Sequence, residues 1–282
     1  MDPLETHRAF YAKLVTANAG VPPTDRLVTA FASVPRERFV GPGPWRVFTP
    51  GGYVATPHDP AFLYQDVVVA LKSEAQINNG QPTLHAACLA ALRIELGEAL
   101  VHVGAGSGYY SAILAELTGP TGSVVAYEVD GELAQRATDN LAEYSHVTVQ
   151  HRSGSEGPLP ECDVIYVSAG ATDPMDVWLD ALRPGGRLLF PLTAAQGAGG
   201  MLFLTRRAGN QWAARFVCQA VFIPCLGARD DEVAKRLAEA FKGGGLRDVQ
   251  SLRRHSSPDV TSWCVGRGWW LSTALPDSIE TC

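Results

Sequence analysis

One turn between two predicted elements constrains this chain more than any other feature. Residues 99–111 read ALVHVGAGSGYYS, an apolar run followed by glycines at alternate positions, Gly104, Gly106 and Gly108. The run predicts a buried strand, and the residues after Gly108 predict a helix. Glycine permits a sharp exit from the strand and a close approach to a ligand, toward which the helix N-terminus directs its N–H groups. The segment therefore predicts a ligand-binding strand–turn–helix unit.

The alternation of strands and helices continues on both sides of this turn. Between residues 83 and 193, short runs rich in Val, Ile and Leu alternate with segments of helical apolar spacing. Buried strands separated by amphipathic helices favour a mostly parallel sheet covered on both faces. Right-handed crossover connections make such a sheet doubly wound. We therefore predict an α/β, Rossmann-like fold for this part of the chain.

The flanking segments have different patterns. Residues 5–18 and 25–33 have helical spacing, and the Gly- and Pro-rich residues 34–60 predict a loop with short extended pieces. After residue 193, further apolar runs surround one helical segment. We predict N-terminal helices and substrate-facing loops (1–82), a ligand-binding core (83–193) and a C-terminal α+β part that extends or caps the core (194–282). A small separate C-terminal domain is the alternative.

Composition narrows the possible partners. The chain has 282 residues and a formal net charge of −6, and it contains no block of basic residues, which disfavours nucleic-acid binding. No apolar run approaches the roughly 18 residues of a membrane-spanning helix, and the first residues lack a secretory pattern. The six cysteines show no zinc-binding spacing. We therefore expect a cytoplasmic protein with no metal, no membrane and no nucleic-acid partner.

The glycine spacing indicates which cofactor the turn holds. A dinucleotide fingerprint, GxGxxG, would place its third glycine at position 109, which is Tyr109 here, so the spacing is GxGxG. The shorter turn suits a ligand without phosphates, such as S-adenosylmethionine. Glu128 ends the next predicted strand, where a carboxylate can accept hydrogen bonds from both ribose hydroxyls, and Ser153-Gly154 follows the strand after it. We predict S-adenosylmethionine, with a nicotinamide or flavin dinucleotide as the alternative.

Six motifs then resemble one enzyme family in order and approximate spacing. They are VPRERFV (34–40), YQD (64–66), GQPTLHA (80–86), VHVGAGSGYYSAILAEL (101–117), HRSGSEG (151–157) and WLDALRPGGRLLFPL (178–192). Over residues 30–193 the chain resembles the protein-L-isoaspartate O-methyltransferases. The resemblance implies a Rossmann-like S-adenosylmethionine-dependent methyltransferase fold and a carboxylate on a peptide or protein as methyl acceptor. Base N-methylation is disfavoured because YVSAGATDP (166–174) lacks an Asn/Asp-Pro-Pro-Tyr-type motif.

The resemblance also implies site residues. The candidate cofactor-binding residues are His85, His102, Gly104, Ala105, Gly106, Ser107, Gly108, Tyr109, Glu128, Val129, Ser153 and Gly154. The candidate walls of the peptide site are Arg38, Phe39, Val40, Tyr64, Asp66 and Gln81. Other interpretations stay open, because His85 also suits a buried helix histidine and Tyr109 also suits core packing.

Three positions depart from the family pattern. The family's Thr-Ile-Ser segment, whose serine hydroxyl reaches the acceptor carboxylate, aligns with Asn78, Asn79 and Gly80. The acid that holds the methionine amino group aligns with His102, and the aspartate of the adenine motif aligns with Ser153. An Asn amide can donate a hydrogen bond as a hydroxyl does. We therefore take residues 78–80 as the catalytic candidates.

These departures indicate an altered acceptor. A carboxylate has a pKa of about 4 and needs no general base at neutral pH, so catalysis depends on alignment and on exclusion of water. We predict O-methylation of Asp or isoAsp in a specific peptide, such as a ribosomal peptide whose Asp methyl ester closes to an aspartimide. General isoaspartyl repair, small-molecule O-methylation and a non-catalytic cofactor-binding scaffold are the alternatives. The sequence leaves the oligomeric state open.

Overall fold

The computed structural model describes residues 3–72, 77–195 and 197–276. These residues group into two compact units, the first formed by residues up to 98 and by 105–152, the second by residues 99–104 and those from 153 onward. The chain therefore passes from the first unit to the second twice and returns once between these passages. The domain boundaries that we expected from the sequence remain a prediction.

The elements follow the alternation predicted from the sequence. The helices are α1 (Pro3–Asn18), α2 (Arg26–Ser33), α3 (Pro82–Leu92), α4 (Tyr109–Thr118), α5 (Gly131–Asn140), α6 (Asp176–Ala181) and α7 (Asp231–Gly243). The strands are β1 (Arg46–Thr49), β2 (Gly52–Ala55), β3 (Ala70–Lys72), β4 (Ile77–Asn78), β5 (Ala99–Val103), β6 (Ser123–Glu128), β7 (Val147–His151), β8 (Cys162–Val167), β9 (Leu182–Thr193), β10 (Ala198–Arg206), β11 (Trp212–Val221), β12 (Ser251–Arg254), β13 (Ser262–Val265) and β14 (Trp269–Ser272).

Aspartate N-caps begin three of the helices. Asp25 accepts a hydrogen bond from a backbone N–H in the first turn of α2, and Asp130 and Asp230 each accept two in the first turns of α5 and α7. Such caps satisfy N–H groups that a helix leaves unpaired at its start. The helix boundaries at these points are therefore encoded locally.

The first unit contains parallel and antiparallel strand pairs. Strands β6 and β7 are parallel, in a register that runs from Val124 opposite Val147 to Glu128 opposite His151. Strands β1 and β2 form an antiparallel hairpin, and β3 pairs with β4 in the same sense. The hairpin lies inside the Gly- and Pro-rich segment, so the prediction of a loop with short extended pieces is confirmed.

The second unit carries one continuous run of paired strands, in the order β13-β14-β12-β11-β10-β9-β8-β5. The pairs β5–β8 and β8–β9 are parallel, whereas every pair from β9 to β13 is antiparallel. The C-terminal strands therefore extend the sheet of β9 with an α+β part. The helix-connected parallel strands, with this extension, make the predicted Rossmann-like architecture.

The tryptophans near the C-terminus pack inside the second unit. Trp269 and Trp270 are buried, and the indole N–H of Trp269 donates to Asp173 Oδ1 at 2.7 Å. The ring of Trp263 lies 5.3 Å from those of Phe216 and Phe241. Aromatic pairs at such distances stabilise a core by more than the burial of their apolar area alone provides.

None of the helices in the described ranges has the length and apolar character needed to cross a bilayer.

A fully buried arginine holds the loops of the first unit. Arg36 has no exposed surface, and its guanidinium donates to the backbone carbonyl oxygens of Leu63, Gln65 and Val67. The side-chain oxygen of Asn79 accepts a further bond at 3.4 Å, and the rings of Tyr11 and Tyr109 lie within cation–π distance. This one side chain therefore satisfies carbonyls that the loops cannot pair among themselves.

Replacing Arg36 with methionine is expected to destabilise the protein strongly. Arg36→Met replaces the guanidinium group with an apolar one and leaves several buried carbonyls without donors. We therefore expect a loss of about 3 kcal/mol in the free energy of unfolding. Urea unfolding followed by circular dichroism measures it. The control is Arg38→Ala, since Arg38 forms an exposed ion pair with Glu143 at 2.5 Å and such pairs contribute at most about 1 kcal/mol. Equal losses in both variants would contradict a supporting role for Arg36.

Candidate active site

In the first unit, the glycine turn leads directly into α4. Ala105 N donates to Tyr127 O at 3.0 Å, and the Asn140 side-chain amide donates to Ser107 O at 2.9 Å. Gly108 has a φ of +96°, and a Cβ there would lie 2.9 Å from Leu141 Cδ1. A side chain at this position is therefore excluded by backbone conformation and by packing.

Glu128 lies directly against this turn. Its Oε2 accepts a hydrogen bond from Gly106 N at 2.6 Å, and its Oε1 accepts from Val129 N at 2.9 Å and Asp130 N at 3.0 Å. The side chain is 8% exposed. Burial raises the pKa of Glu128, and the three N–H donors oppose that shift by stabilising the carboxylate. The structure thus brings together three of the candidate cofactor-binding residues, Gly106, Glu128 and Val129.

His85 occupies the space that a side chain at position 80 would need. Gly80 has a φ of +71°, and a Cβ built on it would lie 2.1 Å from His85 Nε2. His85 is buried, and its ring stacks on Tyr110 with 3.6 Å between centroids and 8° between planes. A side chain at position 80 would therefore require the imidazole of His85 to move. This contact is not visible from the spacing of the two residues in the sequence.

The two asparagines before Gly80 have different environments. Asn79 is 8% exposed, and its Oδ1 accepts a hydrogen bond from Val69 N at 2.9 Å. Its amide nitrogen is buried and has no hydrogen-bond partner within the described part of the chain. Asn78 is half-buried, and its Oδ1 accepts from Gly80 N at 2.9 Å. Asn79 therefore supports the loop from inside, and the catalytic role of residues 78–80 stays a prediction.

The other candidate substrate residues support the same region. Asp66 Oδ1 accepts from Thr83 N at 2.8 Å in the first turn of α3, and its Oδ2 accepts from the Gln81 amide at 3.0 Å. The Tyr64 hydroxyl donates to Glu37 Oε2, and both burial and this acid raise the pKa of Tyr64. These contacts fix the start of α3 and with it the position of Gly80.

Three further candidates belong to the segment before β1. Phe39 packs edge-on against Tyr109 with 5.6 Å between ring centroids. Val40 joins a buried apolar cluster, and Arg38 is exposed on the surface of the unit. The segment is therefore anchored by Phe39 and Val40 while Arg38 faces solvent.

In the second unit, a neutral histidine precedes the glycine turn. His102 is 1% exposed, and its Nε2 lies 3.0 Å from Ser168 Oγ. Its ring stacks on Tyr166 at 5.4 Å. Burial lowers the pKa of His102 to about 3. A Cβ on Gly104 would lie 3.4 Å from the Ser168 carbonyl carbon, so the strand end is tightly packed and carries no charge at neutral pH.

The residues that follow β7, where the sequence predicts the adenine motif, contact the loop that contains Leu226. We had not predicted a functional role for this loop. Ser153 Oγ lies 2.7 Å from Ser155 Oγ, which donates to Leu226 O at 2.8 Å. Gly154 O accepts from the Trp178 indole at 2.7 Å. Leu226 itself is 65% exposed. The only sequence signal for this loop was its Pro and Gly content, which marks turns in general.

The parallel strands, the glycine turn and the acid at the end of β6 are features of the Rossmann-like fold of S-adenosylmethionine-dependent methyltransferases. A family model described as protein-L-isoaspartate(D-aspartate) O-methyltransferase (PCMT) matches residues 10–230. The chain belongs to this family. Its members are S-adenosylmethionine-dependent carboxyl O-methyltransferases, as the resemblance of the six motifs predicted.

Individual proteins similar to this chain carry the name of the same family. The chain is 28% identical over 204 residues to the protein-L-isoaspartate O-methyltransferase of Brucella anthropi and 31% identical over 207 residues to that of Rhodopseudomonas palustris, with 72% of this chain and 86% of each relative covered. A solved protein-L-isoaspartate O-methyltransferase is similar with a TM-score of 0.66 and 20% identity, covering 83% of this chain and 69% of that one. A Plasmodium falciparum protein described as a member, in complex with S-adenosyl-L-homocysteine, has a TM-score of 0.61 and 16% identity, covering 77% and 97%.

The residues present fit S-adenosylmethionine. Gly106 and Gly108 have no side chains, and Glu128 places a carboxylate beside Gly106. These groups suit the sugar of a nucleoside, whose hydroxyls donate hydrogen bonds. When bound, the cofactor supplies an electrophilic methyl group. His102 stands where the family pattern has an acid. A neutral imidazole offers no negative charge to the methionine ammonium group.

Changing Glu128 to glutamine is expected to weaken cofactor binding about tenfold or more, because it removes a charged acceptor. Isothermal titration calorimetry with S-adenosylmethionine measures this. Only the ionised carboxylate accepts both hydroxyls, so affinity should fall as the pH drops through a pKa that lies above the usual glutamate value. Glu128→Gln should lack this pH dependence. The control Glu5→Gln, on the exposed face of α1, should bind as the wild type does; unchanged affinity in Glu128→Gln would remove the acid from the site.

Changing His102 to glutamine is expected to reduce the acid sensitivity of the fold. The folded-state pKa of about 3 lies below the usual histidine value, so the unfolded chain binds a proton first as the pH falls. The contribution of His102 to the free energy of unfolding is therefore fully present above the usual histidine pKa. It decreases as the pH falls below that value, by about 2 kcal/mol at pH 5. Urea unfolding at pH 7.5 and pH 5 should show a smaller difference for His102→Gln than for the wild type. An equal difference would mean that His102 is protonated in the folded protein.

Proposed function

We propose that this chain methylates the free carboxylate of an Asp or isoAsp residue in a selected peptide or protein. The observation that carries the proposal is the pair Gly80 and His85, in which the imidazole fills the space of a residue 80 side chain. An acceptor loop without the serine hydroxyl presents different chemistry to the incoming carboxylate. Altered acceptor selection follows more directly from this change than loss of activity does.

Carboxyl methylation places modest demands on the protein. The acceptor has a pKa of about 4 and is ionised at neutral pH, so no side chain has to remove a proton. The protein has to hold one carboxylate oxygen in place and keep water out. An imidazole N–H can donate to a carboxylate as a hydroxyl does. We therefore assign to His85 the role of orienting the acceptor, supported by the half-buried Asn78.

The product chemistry suits peptide tailoring. Methylation converts the Asp carboxylate into a methyl ester, which is a better leaving group for attack by nitrogen. The backbone amide nitrogen of the next residue can then attack the ester carbonyl, losing its proton as methanol leaves, and the ring product is an aspartimide. A ribosomally made peptide with one reactive Asp is the substrate class that this proposal favours.

General repair of isoaspartyl proteins is the second candidate. It is favoured by the relatives that carry this name, since the match covers 86% of each of the two described above. The two functions share the cofactor and the reaction. They differ in whether the residues that flank the acceptor in the substrate affect the rate of methylation.

Transfer of labelled methyl groups to a peptide panel tests the proposal. We expect the wild type to methylate one aspartyl or isoaspartyl sequence at least about tenfold faster than unrelated isoaspartyl peptides. Equal kcat/KM on all isoaspartyl peptides would favour general repair. Binding of S-adenosylmethionine with no transfer to any peptide would contradict both candidates.

Variants at positions 80 and 85 test the role of the histidine. Gly80→Ser alone should lose activity, because its Cβ would lie 2.1 Å from His85 Nε2. His85→Ala should lower kcat/KM for the preferred acceptor about tenfold or more without changing the cofactor Kd. The double variant Gly80→Ser/His85→Ala relieves the overlap and should gain activity on general isoaspartyl peptides. A His85→Ala effect confined to the cofactor Kd would assign the histidine to the cofactor instead.

A further inference from the structure

A pocket of about 380 Å³ opens in the first unit beside the glycine turn. Residues of three segments line it, namely those around Val40 and Arg46, those around Leu71 in β3, and Glu132 and Arg136 of α5. Its volume lies in the range of pockets that bind small ligands or side chains. Val40 is one of the candidate walls of the peptide site, so the pocket continues from that segment.

The floor of this pocket is apolar. Val40 and Trp45 are both 6% exposed and pack with Leu63 and Val69 in one cluster, with Leu71 at its edge. Trp45 is held in place by a 2.8 Å hydrogen bond from its indole N–H to Gly41 O. The floor is therefore rigid and offers contact to the aliphatic part of a side chain.

Two arginines give the rim a positive charge. Arg46 at the start of β1 and Arg136 in α5 form no ion pair with any residue that the structure describes. Glu132, one helical turn before Arg136, is at the spacing where such pairs form. It binds Lys72 Nζ instead, at 3.1 Å. Neither guanidinium group is therefore neutralised by an acid of the described ranges, and both can bind an external anion.

We propose that this pocket binds an acidic side chain of the peptide substrate at a position flanking the methyl acceptor. The inference rests on the proposed function and specifies which peptides it selects. A carboxylate can form paired hydrogen bonds with a guanidinium group, while its methylene groups cover the apolar floor. A neutral polar side chain would gain neither the charge interaction nor the paired geometry.

The position of the pocket supports a peptide as its occupant. A Cβ built on Gly106 would lie 3.3 Å from Leu71 Cδ1, so the residue that lines the pocket also contacts the glycine turn. A substrate whose acceptor is held near that turn has its neighbouring residues within reach of Arg46 and Arg136. Lys72 binds both Asp130 Oδ2, at 2.8 Å, and Glu132, and these three groups carry one net negative charge. With Arg46 and Arg136 the local charge is +1, which favours an anion.

Matched peptide pairs test the proposal. Each pair carries the same aspartyl or isoaspartyl acceptor and differs by Glu or Gln at one flanking position, and both peptides are offered to the full chain. Binding is followed by fluorescence anisotropy in the presence of S-adenosylhomocysteine, and turnover by transfer of labelled methyl groups. We expect the Glu peptide to bind about tenfold more tightly at one flanking position. Added salt should reduce this preference.

Two variants and a control identify the groups responsible. Arg46→Gln and Arg136→Gln should each reduce the preference for Glu, and the double variant should abolish it, with the cofactor Kd unchanged. Arg93→Gln removes an exposed charge at the end of α3 and should keep the preference. The proposal is overturned if the wild type binds Glu and Gln peptides equally, if the double variant retains the preference, or if the cofactor Kd changes in parallel.

The two readouts separate this proposal from the proposed function. Methyl transfer without any preference for Glu rejects the acidic subsite and leaves peptide methylation standing. A binding preference for Glu, abolished in the double variant but accompanied by no transfer to any peptide, supports the subsite and rejects the methylation proposal.

Discussion

The hydrogen bond from Gly106 N to the Glu128 carboxylate is the constraint on which the rest of the site depends. It holds the acid against the backbone of the glycine-rich turn, and two further N–H donors stabilise the carboxylate although it is buried. Each partner requires the other, because a buried carboxylate without donors is costly. The glycine turn and the acid therefore form one structural feature, not two independent motifs.

The candidate acceptor loop depends on a different contact. The imidazole of His85 lies where a side chain on Gly80 would be, so a larger residue at position 80 requires His85 to move. Asp66 and the buried Arg36 hold the segments on which this pair lies. At residues 78–80, where the chain departs from the family pattern, the loop therefore packs directly against a side chain of α3.

Much of the architecture was predictable because it is encoded locally. The alternation of apolar strands and amphipathic helices, the aspartate N-caps and the Gly- and Pro-rich loop all act over a few residues, and each has its counterpart in the structure. The C-terminal strands were predicted as strands, but their continuous antiparallel pairing from β9 to β13 depends on long-range contacts. The contact between Ser155 and Leu226 spans 71 positions and left no pattern in the sequence.

The order of the elements, the glycine turn with its acid, and the family to which they point could be read from the sequence, because strand period, helix period and glycine conformation are properties of short segments. Three further features became visible in the folded chain: His85 fills the place of a residue 80 side chain, burial keeps His102 neutral, and Arg46 and Arg136 share one pocket. Each of these depends on which side chains approach one another in space, and burial, charge pairing and steric exclusion are set by those approaches.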